Sequence, residues 1–269
     1  MESDAAALHS AVRQYCYAQH RHWSSVYAST PKNDSGGSYR YSDRQLDVFP
    51  RYNVLNAIRV AVESLDPEAL DDFTATQRII ASLGDSADDD FTINPSGDIA
   101  QNAQDEEREK FSTFVRQLDR TNVWDFDALP YQRVLGDDET STVWSNLQRW
   151  DVQPNDYWYP LVPTKIKGLV AFDSDAFDAA VPSRALSKIL ASNDIARIWE
   201  LREHGPSYIQ DINCISPIYN GAEGYWTSND IDWLIYASHE MTITIGGWML
   251  NAVKNIWPKW SHHQLNTLS

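Results

Sequence analysis

Residues 224 to 247, GYWTSNDIDWLIYASHEMTITIGG, carry the clearest structural pattern in this chain. They contain runs of aromatic and β-branched residues at Gly224 to Thr227, Trp233 to Ser238 and Thr242 to Ile245. Short polar segments separate the runs. In the last two runs the side chains alternate between two faces, with Trp233, Ile235 and Ala237 on one face and Ile243 and Ile245 opposite Thr242 and Thr244, which is typical of antiparallel strands joined by turns. We therefore predict consecutive antiparallel strands in this stretch.

Outward from this stretch, residues 151–269 read as one α+β domain with about five short antiparallel strands. A helix interrupted at Pro182 precedes the strands, and a closing helix from Trp248 to about Ile256 ends before Pro258. A further short strand is expected from Gly168 to Phe172, before the interrupted helix. The two remaining strands of the five are predicted at Arg197 to Arg202 and Tyr208 to Ile215.

Residues 1–150 show the 3.6-residue apolar period of helices instead. The domain boundary is expected near residue 151, where prolines and the aromatic run Tyr157-Trp158-Tyr159 replace that period. The predicted fold class is thus α+β, an N-terminal helical region followed by a mostly antiparallel sheet flanked by helices. Helices are predicted at Ala5 to Tyr27, Pro50 to Leu65, Glu68 to Gly84, Ile99 to Arg120 and Asp138 to Arg149, with loops at Lys32 to Ser38 and at 85–98.

The net charge of the chain limits the classes of partner that it can bind. With 22 Lys and Arg against 38 Asp and Glu, the formal net charge is -16. Such a charge repels nucleic-acid phosphates and anionic lipid surfaces, and it suits either plain solubility or a basic protein partner. No basic, apolar leader opens the chain and no run reaches the roughly 20 apolar residues of a membrane span, so we expect a soluble, cytoplasmic protein.

The densest negative charge lies in the helical half. The acidic clusters there lack the spacing of a calcium loop, so we expect no metal in them. They present either a solvated loop or a face that attracts a basic protein. The residues expected to bind that partner are Asp85, Asp88, Asp89, Asp90, Asp105, Glu106 and Glu107.

The candidate catalytic residues are His239, Glu240 and Glu223. A His beside a Glu suits general acid–base chemistry, and Glu223 lies in a Gly-containing turn that lacks the Lys-Ser/Thr of a phosphate loop. Neighbouring side chains on a strand point to opposite faces, so His239 and Glu240 converge only if the turn bends. The alternative is that they hydrogen-bond the turn backbone and fix the hairpin.

The two cysteines give weaker candidates. Cys214 could act as a nucleophile with His239 as its base, but its apparent strand face, with Tyr208 and Gln210, is a packing pattern. Cys16 and His20 share a helix face near His22, although a zinc site needs further ligands, so core packing of Cys16 is favoured. No cofactor is expected.

One block of sequence supports a comparison with a class of proteins. Asn220 to Trp226, Asp232 to Glu240 and Thr242 to Gly247 resemble the tails of uncharacterised bacterial proteins. The Ser238-His239-Glu240 turn before a final strand also resembles one in some immunity proteins of bacterial toxin systems. The resemblance implies a bacterial cytoplasmic protein that binds and neutralises a partner by steric blockade, without catalytic residues.

The sequence leaves more than one function open. We expect a binding or inhibitory protein, such as an immunity protein for a basic toxin, for example a nuclease. One alternative is a structural or adaptor subunit of a bacterial defence complex, with an apolar patch at Trp257 and Trp260. Another is an enzyme that uses His239, Glu240 and Glu223, which requires these side chains to converge.

Overall fold

A computed structural model describes residues 3–31, 41–152 and 168–265. They form two compact units, Met1–Leu129 and Pro130–Ser269. The first unit is helical and the second is built on an antiparallel sheet flanked by helices, so the predicted α+β class is confirmed. The division precedes the boundary suggested near residue 151. The predicted loop at Lys32 to Ser38 and the aromatic run at 157–159 lie outside the described residues.

The described residues of the helical unit include four long helices. Three of them begin after a residue whose side chain accepts from a backbone N–H of the first turn; the Ser3 side chain, for example, accepts from Ala6 N at the start of the first helix. None of the described helices is long and apolar enough to cross a membrane. The helices are α1 (Asp4–Ser29), α2 (Asp43–Glu63), α3 (Phe73–Ser86) and α4 (Asp98–Gln117).

Two predicted helix starts are wrong. Helix α2 begins at Asp43, because Ser42 and Gln45 form a capping box, and Pro50 lies inside the helix. Helix α3 begins at Phe73, because the Asp72 side chain caps it after a short 3-10 turn at Pro67–Ala69. In both cases an Asp or Ser cap outweighs the proline or glutamate that suggested another start.

Gly84 was predicted to end α3 but lies within it. The helix continues to Ser86, and Gly84 is buried against the ring of Phe111 from α4. A Cβ at this position would overlap that ring, so the glycine permits close packing of two helices rather than a turn. The core around it draws on all four helices and includes Leu8, Val12, Cys16, Val54, Ile58, Val62, Ile80, Phe111 and Val115.

In the part of the second unit that the structure describes, the strands form one seven-stranded sheet with strand order β1-β4-β3-β5-β6-β7-β2, antiparallel throughout. Strand β1 was not predicted, and β4 ends at Asp211, where a 3-10 turn replaces the rest of the expected strand. The strands are β1 (Gln132–Val134), β2 (Val170–Asp173), β3 (Arg197–Arg202), β4 (Tyr208–Asp211), β5 (Gly224–Thr227), β6 (Trp233–Ser238) and β7 (Thr242–Gly247).

Both faces of the sheet are covered. On β6, Trp233 and Ile235 belong to the core under α6 (Ser174–Ala180), α7 (Ser183–Ala191) and α8 (Trp248–Ile256). Their neighbours Leu234 and Tyr236 belong to the core on the other face, with side chains of α5 (Asp137–Leu147). This explains why β6 is buried along its whole length.

The ends of the sheet are short. Strands β1 and β2 form the two edges, with 3 and 4 residues. The segment after α8 returns to β2, where Gln264 pairs with Phe172 and the Leu265 amide donates to the Ala171 carbonyl at 2.9 Å. Part of the outer edge of β2 is therefore already hydrogen-bonded.

Candidate functional site

The β5–β6–β7 arrangement brings the three predicted catalytic candidates together. Gly224 pairs with Ala237, which places the preceding residue, Glu223, beside the turn after β6. That turn contains His239 and Glu240, between the paired residues Ser238 and Thr242. The convergence that an enzymatic role requires is therefore present.

His239 contacts a carboxylate on each side of its ring. Its Nδ1 lies 2.6 Å from Glu223 Oε1, and its Nε2 lies 3.0 Å from Glu240 Oε1. The neighbouring residues His239 and Glu240 meet because they occupy a turn, with Met241 at a φ of 57°, rather than a strand. The hydrogen-bonded carboxylate of Glu223 raises the pKa of His239, against a smaller opposing effect of burial.

Tyr236 fixes the buried partner of this cluster. The Glu223 side chain is 7% exposed, and the Tyr236 hydroxyl donates to its Oε2. Tyr236 is fully buried and packs on the Tyr225 ring, with 4.7 Å between centroids. Burial, with Glu223 as acceptor of the phenolic proton, raises the pKa of Tyr236, so the hydroxyl stays a donor at neutral pH.

The first residue of the Ser-His-Glu turn has a structural role. Ser238 is buried, and its Oγ accepts from the Glu240 amide at 3.2 Å. The same atom lies 2.8 Å from Thr242 Oγ1. These bonds close the hairpin. Ser238 therefore fixes the turn, a role that the sequence suggested as an alternative for His239 and Glu240, whereas the side chains of His239 and Glu240 lie near Glu223.

A small cavity of about 90 Å³ borders the turn that carries His239 and Glu240, lined by the flanking residues Ser238 and Met241. Tyr219 lines it, and the Tyr219 ring centroid lies 6.5 Å from that of His239. This volume is well below the roughly 300–1,000 Å³ of small-molecule pockets. The cavity is also lined by Ser174, Asp175, Asp178 and Thr242.

The two cysteine candidates differ in burial, since Cys16 is buried and Cys214 is half-buried. Cys214 lies in the 3-10 turn Ile212–Cys214, so the predicted strand face shared with Tyr208 is wrong. Cys16 is fully buried in the helical core, and burial raises the pKa of its thiol. Of the two histidines near it, His20 packs on the ring of Tyr52 and His22 is exposed.

The acidic residues predicted to bind a partner divide into two groups. Glu107 is fully buried, with its Oε1 3.0 Å from Arg51 and 2.6 Å from Lys110, so it lies inside the helical unit. The others reach the surface, some within local contacts. Asp85 accepts from Ser112, Asp88 pairs with Arg108, Asp105 accepts from Gln101 and Glu106 pairs with Arg51.

The loop between α3 and α4 exposes large apolar side chains next to these carboxylates. Phe91 is 72% exposed and Ile93 is 56% exposed. The acidic cluster is visible in the sequence, but the exposure of Ile93 is not, since an isolated apolar residue in a polar loop gives no periodic signal. We use the name Phe91 patch for Phe91, Ile93, Ile99, Asp88, Asp89 and Asp90.

The loop that carries the Phe91 patch is fixed by hydrogen bonds. Thr92 is buried, its Oγ1 accepts from the Asp89 amide at 2.7 Å, and Asp89 Oδ1 accepts from the Phe91 amide at 2.9 Å. Arg108 donates to the carbonyls of Gly84 and Ala87 at 2.8 and 2.6 Å. These hydrogen bonds therefore fix the backbone of the turn on which the side chain of Phe91 is exposed.

A groove of about 580 Å³ also lies on the helical unit. Aromatic rings dominate its wall, with Tyr15 stacked on Phe114 at 4.3 Å between centroids. Arg21 supplies a positive charge, but no acid–base pair lines the groove, which suits binding better than catalysis. Its lining comprises Gln14, Tyr15, Tyr17, Ala18, Gln19, Arg21, Phe114, Phe126 and Leu129.

Comparison with known proteins assigns no family. No protein-family model matches the chain, and no curated protein or solved structure is significantly similar to it.

Proposed function

We propose that this chain is a binding protein that recognises a basic protein partner through the Phe91 patch and acts by steric blockade. The observation that supports this most directly is the outward-held ring of Phe91, 72% exposed, beside Asp88, Asp89 and Asp90. A central aromatic anchor with a charged rim is the usual composition of an interface hot spot.

The charge of the patch selects the partner. Asp88 pairs with Arg108 and Asp89 accepts from the Phe91 amide, so Asp90 is the carboxylate of the patch that is placed to attract Lys and Arg and to repel acidic surfaces. With a net charge of -16, the whole chain adds to that attraction. Because the resemblance of the C-terminal block implies a bacterial cytoplasmic immunity protein, a basic toxin such as a nuclease is the proposed partner.

The sheet unit supports catalysis less well. Both ring nitrogens of His239 contact carboxylates, and the neighbouring cavity of about 90 Å³ is small for a substrate. The apolar patch that an adaptor role would use cannot include Trp257, because Trp257 is buried in the core and is only 5% exposed. Trp260 is partly covered, with Lys254 Nζ lying 3.9 Å from its ring centroid.

The proposal is tested by capture and titration. The immobilised full chain is used to isolate a partner from the native host, and the purified partner is then titrated at increasing salt. We expect a basic protein whose Kd rises at least about tenfold for Phe91→Ser, the loss of one interface anchor. We also expect Asp90→Asn to weaken binding mainly at low salt.

Ile79→Ser is the matched control, because Ile79 lies on α3 and is also exposed, at 45%. It should leave the Kd unchanged. An acidic partner, or a Kd that Phe91→Ser and Ile79→Ser change equally, contradicts the proposal.

A further inference from the structure

The Glu223–His239–Glu240 cluster is rich in negative charge for its degree of burial. Its two carboxylates share one imidazole, which is a weak and titratable cation. Within residues 3–31, 41–152 and 168–265, no Lys or Arg pairs with Glu223, although its side chain is only 7% exposed. A buried carboxylate is stable when it is paired or coordinates a metal.

We propose that Glu223, His239 and Glu240 bind a divalent transition-metal ion, with Zn²⁺ as the best match. One ligand atom from each residue lies within 4.8 Å of the other two. Three protein ligands with an exposed side leave a fourth tetrahedral position open to water. His239, with its side chain 49% exposed, keeps the cluster accessible from solvent.

The ligand types favour this class of metal. An imidazole nitrogen with carboxylate oxygens suits zinc and its neighbours, whereas Mg²⁺ and Ca²⁺ prefer sets made only of oxygen. No thiolate is among the three ligands, so a soft copper(I) site is disfavoured. Zn²⁺ also exceeds Mn²⁺ in affinity for most nitrogen and oxygen sites.

Tyr236 is a positioning residue for this site. Its hydroxyl holds Glu223 Oε2 and leaves Oε1 directed toward His239. Hydrogen bonds of this outer kind orient metal ligands, and their loss lowers metal affinity about 10- to 100-fold. The phenol is buried and packed on Tyr225, so Glu223 has one preferred orientation.

Binding requires one local adjustment. Glu223 and Glu240 contact different ring nitrogens of His239, so a single ion held by all three residues needs the imidazole ring to turn until one nitrogen faces both carboxylates. The ring is half exposed and can turn without moving the sheet. The nitrogen that binds the ion releases its proton to solvent.

Isothermal titration of the untagged full chain with Zn²⁺ alone, after removal of metals by chelation, tests the site. We expect one Zn²⁺ per chain, with affinity reduced at least about tenfold in His239→Asn and in Glu240→Gln, each of which removes one ligand. Tyr236→Phe should weaken binding about 10- to 100-fold while every ligand remains. Mg²⁺ should bind far more weakly.

His204→Asn is the matched control, because His204 is an exposed histidine 3.7 Å from the carboxylate of Glu203. It should bind Zn²⁺ like the wild type. The proposal is overturned if the wild type binds no Zn²⁺, if His239→Asn retains wild-type affinity, or if His204→Asn loses as much. Circular dichroism confirms that each variant is folded, and Glu240→Gln, at a partly exposed side chain, remains informative if another variant unfolds.

Discussion

The ring of Phe111 lies against the backbone of Gly84, and no side chain fits between them. Alanine at residue 84 gains up to about 1 kcal/mol of helix propensity, but overpacking a core site typically costs about 1–3 kcal/mol. We therefore expect Gly84→Ala to lower the free energy of unfolding by about 1–2 kcal/mol in urea denaturation. Ser82→Ala, on the exposed side of α3, should change it little; a stabilised Gly84→Ala would show that the contact is loose.

The buried Glu107 and its exposed neighbour Glu106 provide a second comparison. Both contact Arg51, but the Glu107 side chain is 0% exposed and that of Glu106 is 60% exposed. Removing one partner of a buried ion pair costs about 3–5 kcal/mol, whereas exposed pairs contribute about 0–1 kcal/mol. We expect Glu107→Gln to lower the free energy of unfolding by roughly 3 kcal/mol. Glu106→Gln should lower it by less than about 1 kcal/mol. Equal effects in urea denaturation would contradict the burial of Glu107.

His9 predicts a loss of stability in mild acid. Burial, followed by the nearby charge of Arg13, lowers its pKa from 6.5 to about 4, and its Nε2 lies 3.0 Å from the Val62 carbonyl. As pH falls, the unfolded chain protonates His9 at a higher pH than the folded chain does. The stability that neutral, buried His9 contributes is therefore complete above about pH 6.5. It is lost as pH falls toward 4, by roughly 3 kcal/mol.

The matching variant is His9→Gln, which keeps a donor for the Val62 carbonyl and does not titrate. Urea denaturation at pH 7, 5.5 and 4.5 should show a smaller decline for His9→Gln than for the wild type, because the other titrating groups are common to both chains. Parallel declines would mean that His9 is accessible to protons in the folded state.

Gly247, the last residue of β7 and the residue before α8, has a φ of 69° and faces the backbone of Asp232. A Cβ there would overlap the Asp232 carbonyl, so Gly247→Ala adds a clash to the backbone strain of roughly 1–2 kcal/mol. Gly205 has a φ of 96° but open space around it, and Gly205→Ala should show the strain alone. Thermal unfolding should give a clearly lower Tm for Gly247→Ala than for Gly205→Ala.

The sequence predicted elements wherever local signals were strong. Strand β6 and helix α8 have the predicted bounds because turn residues border each of them and their patterns are unbroken. The predicted start of α2 is wrong because it relied on the preference of proline for the first turn of a helix, whereas Ser42 caps the helix and Pro50 lies inside it. Strand β1 was missed because three residues are too few to show alternation.

The candidate sites depend on contacts between distant residues, and so they were predicted only in part. The convergence of Glu223 and His239 was stated as a requirement of the enzymatic hypothesis, and strand register supplies it. The burial of Glu107 depends on Arg51, 56 residues earlier in the chain, and nothing in the local acidic run distinguishes it from Glu106. Periodicity reports which helix face is apolar but not which charge meets a partner.

The pairing of Gln264 and Leu265 with β2 bears on how the chain behaves at high concentration. An uncovered strand edge recruits a strand from another molecule, and such recruitment can propagate into insoluble polymers. In this sheet β1 offers only 3 residues, and the segment after α8 already occupies part of the edge of β2. That segment limits growth of the sheet by addition of further chains at this edge.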